Sequence, residues 1–390
     1  MLQIDHIYEF LNQEVFKDFN VWSLPGGVVK DGPISFHDIK VSPGSSFDNK
    51  FKIFFYDQEP LLPNLTKKYI DYFKFPDGWG VEEVYQAVLR NDPGIPAGVV
   101  APDYETHLLN LADPVRVYKE HHILVTSEKS QTVNSYLEKY NMKGLYYFFH
   151  GFAALDWFRG HYMLNYSNPV NKEYKYDFVS FNRIITGDRA YRKTFVNKLK
   201  LNDLLNKGAV SYGVTDDPVT GERLVIDQEQ LPGSASADIP KVDALWHIVT
   251  ETVFYYPKLH LTEKIFKPIV SKQPFMLIGA PGNLEYLRKY GFKTFDGIID
   301  ESYDTIQDDD ARIDAVVAQM KWYCNLSQEE KSRVIERLAP IVEYNFQHFY
   351  GKFKEIITDE LLENTKTLFK EIDYDDSQID YATLRKLLTS

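Results

Sequence analysis

Short apolar runs recur along the chain, and most of them pass through a turn into a stretch of helical periodicity. Residues 122–126 read as a buried strand, residues 130–140 as a helix and residues 144–149 as the next strand. After a polar stretch at 165–175 the pattern restarts, with a strand at 176–181, a helix at 189–205 and a strand at 208–212. Residues 248–254, 262–270 and 274–278 repeat strand, helix and strand, and Asn283 opens another helix with Leu284, Leu287 and Tyr290 on one face. Strands separated by helices pair in parallel through right-handed crossovers, so the expected class is α/β with Rossmann-like sheets.

A chain of 390 residues exceeds one ordinary core and fits two domains, at roughly 150 residues each. The polar segment 165–175, with Pro169 and several Asn, is the expected linker. The expected division is therefore an N-terminal domain over 1–165, a second domain over 166–345 and a helical tail over 346–390. Residues 216–238, rich in Gly, Pro and Ser, read as a long surface excursion. No uncharged apolar run approaches the ~18 residues that span a bilayer, and the first residues lack the pattern of a secretion signal. A soluble, cytoplasmic protein is expected, and the single cysteine, Cys324, fits a reducing compartment. The net charge of −12 disfavours a phosphate backbone as partner.

Within this acidic chain, Arg183, Arg189, Arg192 and Lys193 gather in one short segment, enough cationic charge for one diphosphate. Lys264 lies just inside an expected helix start at Thr262, where backbone N–H groups and the helix dipole favour an anion. Glu251 and Glu263 can accept hydrogen bonds from ribose or sugar hydroxyls. The bland alternatives are a Thr262 N-cap followed by solvated charges, and an exposed basic helix face. Asp308-Asp309-Asp310 invites a divalent cation, yet it leads into Ala311-Arg312-Ile313 as the capped start of a helix would. No metal ligand and no cofactor is assigned.

Four blocks in order, residues 178–183 with Arg189 and Arg192, residues 208–213, residues 249–254, and Leu261-Thr262-Glu263-Lys264-Ile265-Phe266 followed by 274–279, resemble the donor domain of the α1,3-fucosyltransferase family. Phe54-Phe55-Tyr56-Asp57-Gln58-Glu59-Pro60 resembles the end of that family's acceptor-side strand. The similarity covers about residues 176–300 and, thinly, 50–60. Thr252 stands where the family usually has Asn.

The resemblance implies two Rossmann-like domains facing across a cleft, the glycosyltransferase-B type. It also implies an inverting, metal-independent transfer from a nucleotide-sugar, with a GDP-linked sugar as candidate, to a saccharide or other hydroxyl acceptor. The donor would be held by Asn182, Arg183, Arg189, Arg192, Glu251, Thr262, Glu263, Lys264 and His150, the last following an apolar strand. Glu59 is the expected general base and Asp57 the second candidate, because inversion requires a carboxylate to take the acceptor's proton. Asp57 and Glu59 can also be plain turn residues before Pro60. Two alternatives stay open: transfer to a modified DNA base, and a non-catalytic protein that retains the fold.

Overall fold

The computed structural model describes Val15, the strands Asn20–Ser23 and Lys52–Tyr56, and residues 122–389 apart from 140–141, 165, 183–184, 186–188, 213–238, 240–241 and 256–257. The chain is mixed α/β, with parallel sheets and many helices. It divides into two compact units, one built on Ile4–Phe149 with Glu360–Leu388 and the other on His150–Asp359. The stretch expected as a linker falls within the second unit. There Asn168 caps a short 3-10 turn, Pro169–Asn171, by accepting from Val170 N at 3.2 Å.

The first unit carries four parallel strands in the order β1 (Asn20–Ser23), β2 (Lys52–Tyr56), β3 (His122–Thr126) and β4 (Lys143–Tyr146). Helix α1 (Gln131–Lys139) makes the crossover from β3 to β4. Ile123, Val125 and Leu145 are fully buried. The expected strand to residue 149 stops at Tyr146, and Phe149 instead opens helix α2 (Phe149–Trp157), where the chain passes into the second unit. The C-terminal part of helix α8 (Lys354–Glu371) returns to the first unit. Asn364 donates to Tyr146 O at 2.9 Å, and Glu360 pairs with Lys129 at 2.7 Å.

The second unit is built on β5 (Tyr176–Asn182), β6 (Gly208–Tyr212), β7 (Ala244–Thr250) and β8 (Phe275–Ile278), all parallel, in the order β8-β7-β5-β6. All seven residues of β7 are buried, as a central strand covered on both faces requires. Gly208 passes so close beneath Phe178 that a Cβ there would run into its ring. Helix α3 (Tyr191–Leu201) links β5 to β6, and α4 (Glu263–Val270) precedes β8. Helix α5 (Asn283–Lys289) opens on Gly282, whose φ of 84° suits glycine, and the Asp304 carboxylate accepts from Leu284 N and Glu285 N.

Two long helices follow. Asp308 caps α6 (Asp309–Cys324) by accepting from Ala311 N at 2.8 Å, with Asp309 and Asp310 in its first turn. Asp309 pairs with Arg312, and Asp310 pairs with Lys198. Ser327 and Glu330 form a reciprocal capping box at the start of α7 (Gln328–His348). Trp246 on β7 meets Phe295 and Tyr323 edge-on, while Phe266, Phe349 and Phe353 pack into a second aromatic group. Helix α9 (Tyr381–Thr389) ends the described chain. Among the described residues no helix is long and apolar enough to cross a membrane, and no group of three or more His, Cys, Asp or Glu could hold a metal ion.

Candidate functional site

The strand order of the second unit reverses beside β5. From β5 the chain goes to β6 on one side, then returns to β7 on the other. Carboxyl ends at such a reversal are where open α/β sheets place their ligands. Here those ends are Asn182 and Thr250, knit together by buried polar groups. Asn182 Nδ2 donates to Ser180 Oγ at 3.1 Å and to Ser211 O at 3.3 Å, while its Oδ1 accepts from Thr250 Oγ1 at 3.1 Å. With both amide protons used and no surface exposed, Asn182 holds three strand ends in register rather than projecting to solvent.

One residue past β7, Glu251 braces the start of α4. Its carboxylate accepts from Thr262 N at 3.1 Å, Thr262 Oγ1 at 2.6 Å and Thr252 N at 3.1 Å. Burial pushes its pKa above the ordinary carboxylate value, against the pull of Lys264 and of Thr262. Thr262 is the N-cap of α4. Lys264 Nζ uses three donors, to Thr252 Oγ1 at 3.2 Å, Thr262 Oγ1 at 3.1 Å and Glu263 Oε1 at 3.0 Å. Burial opposes ionisation of Glu263, but Lys264, His150 and Lys267 outweigh it and hold the carboxyl at about 2. The amino end of α4 is thus a compact array of fixed charges at the strand reversal.

The two arginines of the basic segment have different placements. Arg192 is 3% exposed, and its guanidinium donates to Thr250 O at 2.8 Å and Glu251 O at 3.3 Å. It serves the strand end, because a buried guanidinium is directed to carbonyls that would otherwise lack donors. Arg189 is half-buried just before α3, near enough for its charge to act on the Tyr191 hydroxyl. Among the described residues no carboxylate pairs with it. Asp57, Glu59 and Arg183 lie outside the described residues.

His150 sits in the first turn of α2, not at a strand end, with Nδ1 4.0 Å from Glu263 Oε2. Its ring meets His260 edge-on at 5.1 Å. His260 belongs to this constellation, and no motif in the sequence marked it. It is 1% exposed, and neither ring nitrogen has a hydrogen-bond partner among the described residues. Asn283 fixes its backbone, accepting from His260 N at 3.0 Å while donating to Lys258 O at 2.9 Å. Burial, then the charges of His150, Lys258 and Lys264, holds His260 well below the ordinary imidazole value. Burial and Lys267 bring His247 on β7 down to about 3.

Both histidines are therefore neutral in the fold and take up protons only on unfolding. A depressed imidazole pKa contributes stability that is present above about 6.5 and is lost as pH falls, by up to about 1.4 kcal/mol per pH unit for each group. The melting midpoint is expected to drop between pH 7.5 and 5.5, and His260→Gln to flatten that drop. An unchanged slope in the variant would show that His260 does not titrate in this way.

No protein-family model matches the chain, and no curated protein matches it.

Proposed function

We propose that the chain is an inverting, metal-independent glycosyltransferase in which two Rossmann-like lobes face across a cleft. It moves a sugar from a nucleotide-sugar donor to a hydroxyl acceptor in the cytoplasm. The observation that carries this reading is the position of Lys264 and the amino end of α4 beside the end of β7, one of the two strands that flank the reversal. Lys264 and Arg189 supply the positive charge that a departing diphosphate needs, which is the work a metal ion performs in other transferases. On binding, the diphosphate takes over the Lys264 proton now given to Glu263. The freed Glu263 carboxylate, held ionised, accepts from a ribose or sugar hydroxyl. Arg192, Asn182 and Glu251 act one layer back by holding the strand ends and the α4 cap.

The second reading is a binding or structural protein that retains the fold, and it draws on the same closed network: Glu251, Thr262 and Lys264 satisfy one another without any ligand. Transfer to a DNA base is the less favoured enzyme variant, given the net charge of −12. Thermal shift of the full chain against nucleoside diphosphates and nucleotide-sugars separates the two classes. A ligand at a hundredfold its Kd adds about 2.7 kcal/mol of stability. Lys264→Ala should weaken the best nucleotide by about 1.5–3 kcal/mol, the contribution of a charge-assisted contact, and transfer should survive EDTA. No shift with any nucleotide favours the binding protein; activity lost to EDTA and restored by manganese sinks the metal-independent mechanism.

A further inference from the structure

Three aromatic side chains follow one another beside the end of β7. The Tyr191 and Phe254 rings stack with centroids 4.2 Å apart and planes 15° from parallel. Tyr255 meets both at steep angles, 6.1 Å from Tyr191 and 5.3 Å from Phe254. Tyr191 and Phe254 are each 1% exposed, whereas Tyr255 keeps 37% of its surface in solvent. The two buried rings are anchored: the Tyr191 hydroxyl donates to Glu251 O, and Arg312 lies 4.3 Å over the Phe254 ring while donating to Phe254 O at 2.9 Å. Core packing accounts for the first two rings. The third ring, Tyr255, packs edge-on against them and keeps part of its surface in solvent, five residues past the end of β7.

The same loop touches the anion-suited end of α4. Thr252 Oγ1 accepts from Lys264 Nζ, and Tyr255 lies three residues further on, at most about 11 Å even for fully extended chain. A molecule with its phosphates at Lys264 and a planar group at its far end can therefore span both features. We infer that Tyr255 is the stacking platform for the nucleobase of the donor, an inference that rests on the nucleotide-sugar reading above. Every base has a π-face, so the ring contributes affinity for the nucleoside part without choosing between bases.

Calorimetric titration of the full chain with GDP, UDP and ADP, and separately with inorganic pyrophosphate, tests this. Tyr255→Ala is expected to raise Kd for the nucleoside diphosphates by about 5- to 150-fold while leaving pyrophosphate within about twofold. Tyr255→Phe should stay close to wild type. Equal losses for pyrophosphate and nucleotide would mean a collapsed loop, and unchanged nucleotide affinity in Tyr255→Ala would mean no stacking; either overturns the platform alone. A wild-type chain that binds none of the three nucleotides overturns the donor reading and the platform with it.

Discussion

Arg312→Met is expected to lower the melting midpoint by roughly 6–20 °C, a loss of about 3–5 kcal/mol in a unit of this size. Arg312 is 2% exposed, so its charge is tolerated only because its guanidinium is fully engaged. It donates to Gly279 O at 3.0 Å, Ile306 O at 2.8 Å, Phe254 O at 2.9 Å and Asp309 Oδ1 at 2.7 Å. Methionine fills much of the volume but leaves the buried Gly279 and Phe254 carbonyls without donors, each costing about 1–3 kcal/mol. Those carbonyls belong to the loops that follow β8 and β7, so the damage falls on the carboxyl edge of the sheet. Arg312→Lys should be intermediate, since one ammonium cannot reach all four oxygens. A midpoint within 2 °C of wild type for the methionine variant would remove Arg312 from its place as the tie between the two loops.

Glu59→Gln is expected to lower kcat by roughly 10²–10⁴ while leaving nucleotide affinity near wild type. In the proposed inverting transfer, the attacking hydroxyl must lose its proton on the side opposite the leaving diphosphate. Glu251 and Glu263 are poorly suited, because Glu251 spends its oxygens on Thr262 and Thr252 and Glu263, once the diphosphate draws Lys264 away, accepts from a hydroxyl of the donor itself. Asp57-Gln58-Glu59-Pro60, which follows β2, is the segment that the resemblance to the fucosyltransferase family offers for the base. Asp57→Asn should do less. Steady-state kinetics on both variants decides: a dead Asp57→Asn beside an active Glu59→Gln moves the role to Asp57, and two active variants remove it from this segment.

Much of the second unit was legible because its strands are short apolar runs closed by polar residues and its helices carry capping signals. Thr262 and Asp308 are N-caps as their positions suggested, and the run of three aspartates is the capped opening of a helix. The sequence misled at residues 147–149 for a physical reason. Helix α2 is buried on nearly every side, so its apolar residues show no 3.6-residue stripe and read as a continued strand. The expected strand at 248–254 begins earlier, at Ala244, and ends at Thr250, which turns Glu251 from a strand residue into a brace for α4. Charge is visible in a sequence and burial is not, so the 3% exposure of Arg192 and its bonds to the Thr250 and Glu251 carbonyls could be learned only from the fold. His260 was missed since a lone histidine between apolar residues carries no spacing signal, and only the fold brings it to His150.

The pairing of Asn364 with Tyr146 joins residues 218 apart in the chain. On the ribosome, strands β3 and β4 emerge long before the segment that packs beside them. At about 5–20 residues per second, the wait is roughly 10–45 s. During that interval the second unit can complete its own core from contiguous chain, while the first must remain unfinished. A translation product stopped shortly after Asp359 would therefore carry a finished second unit attached to an incomplete first one, and a chaperone that recognises exposed apolar strands would find its client at the amino-terminal end.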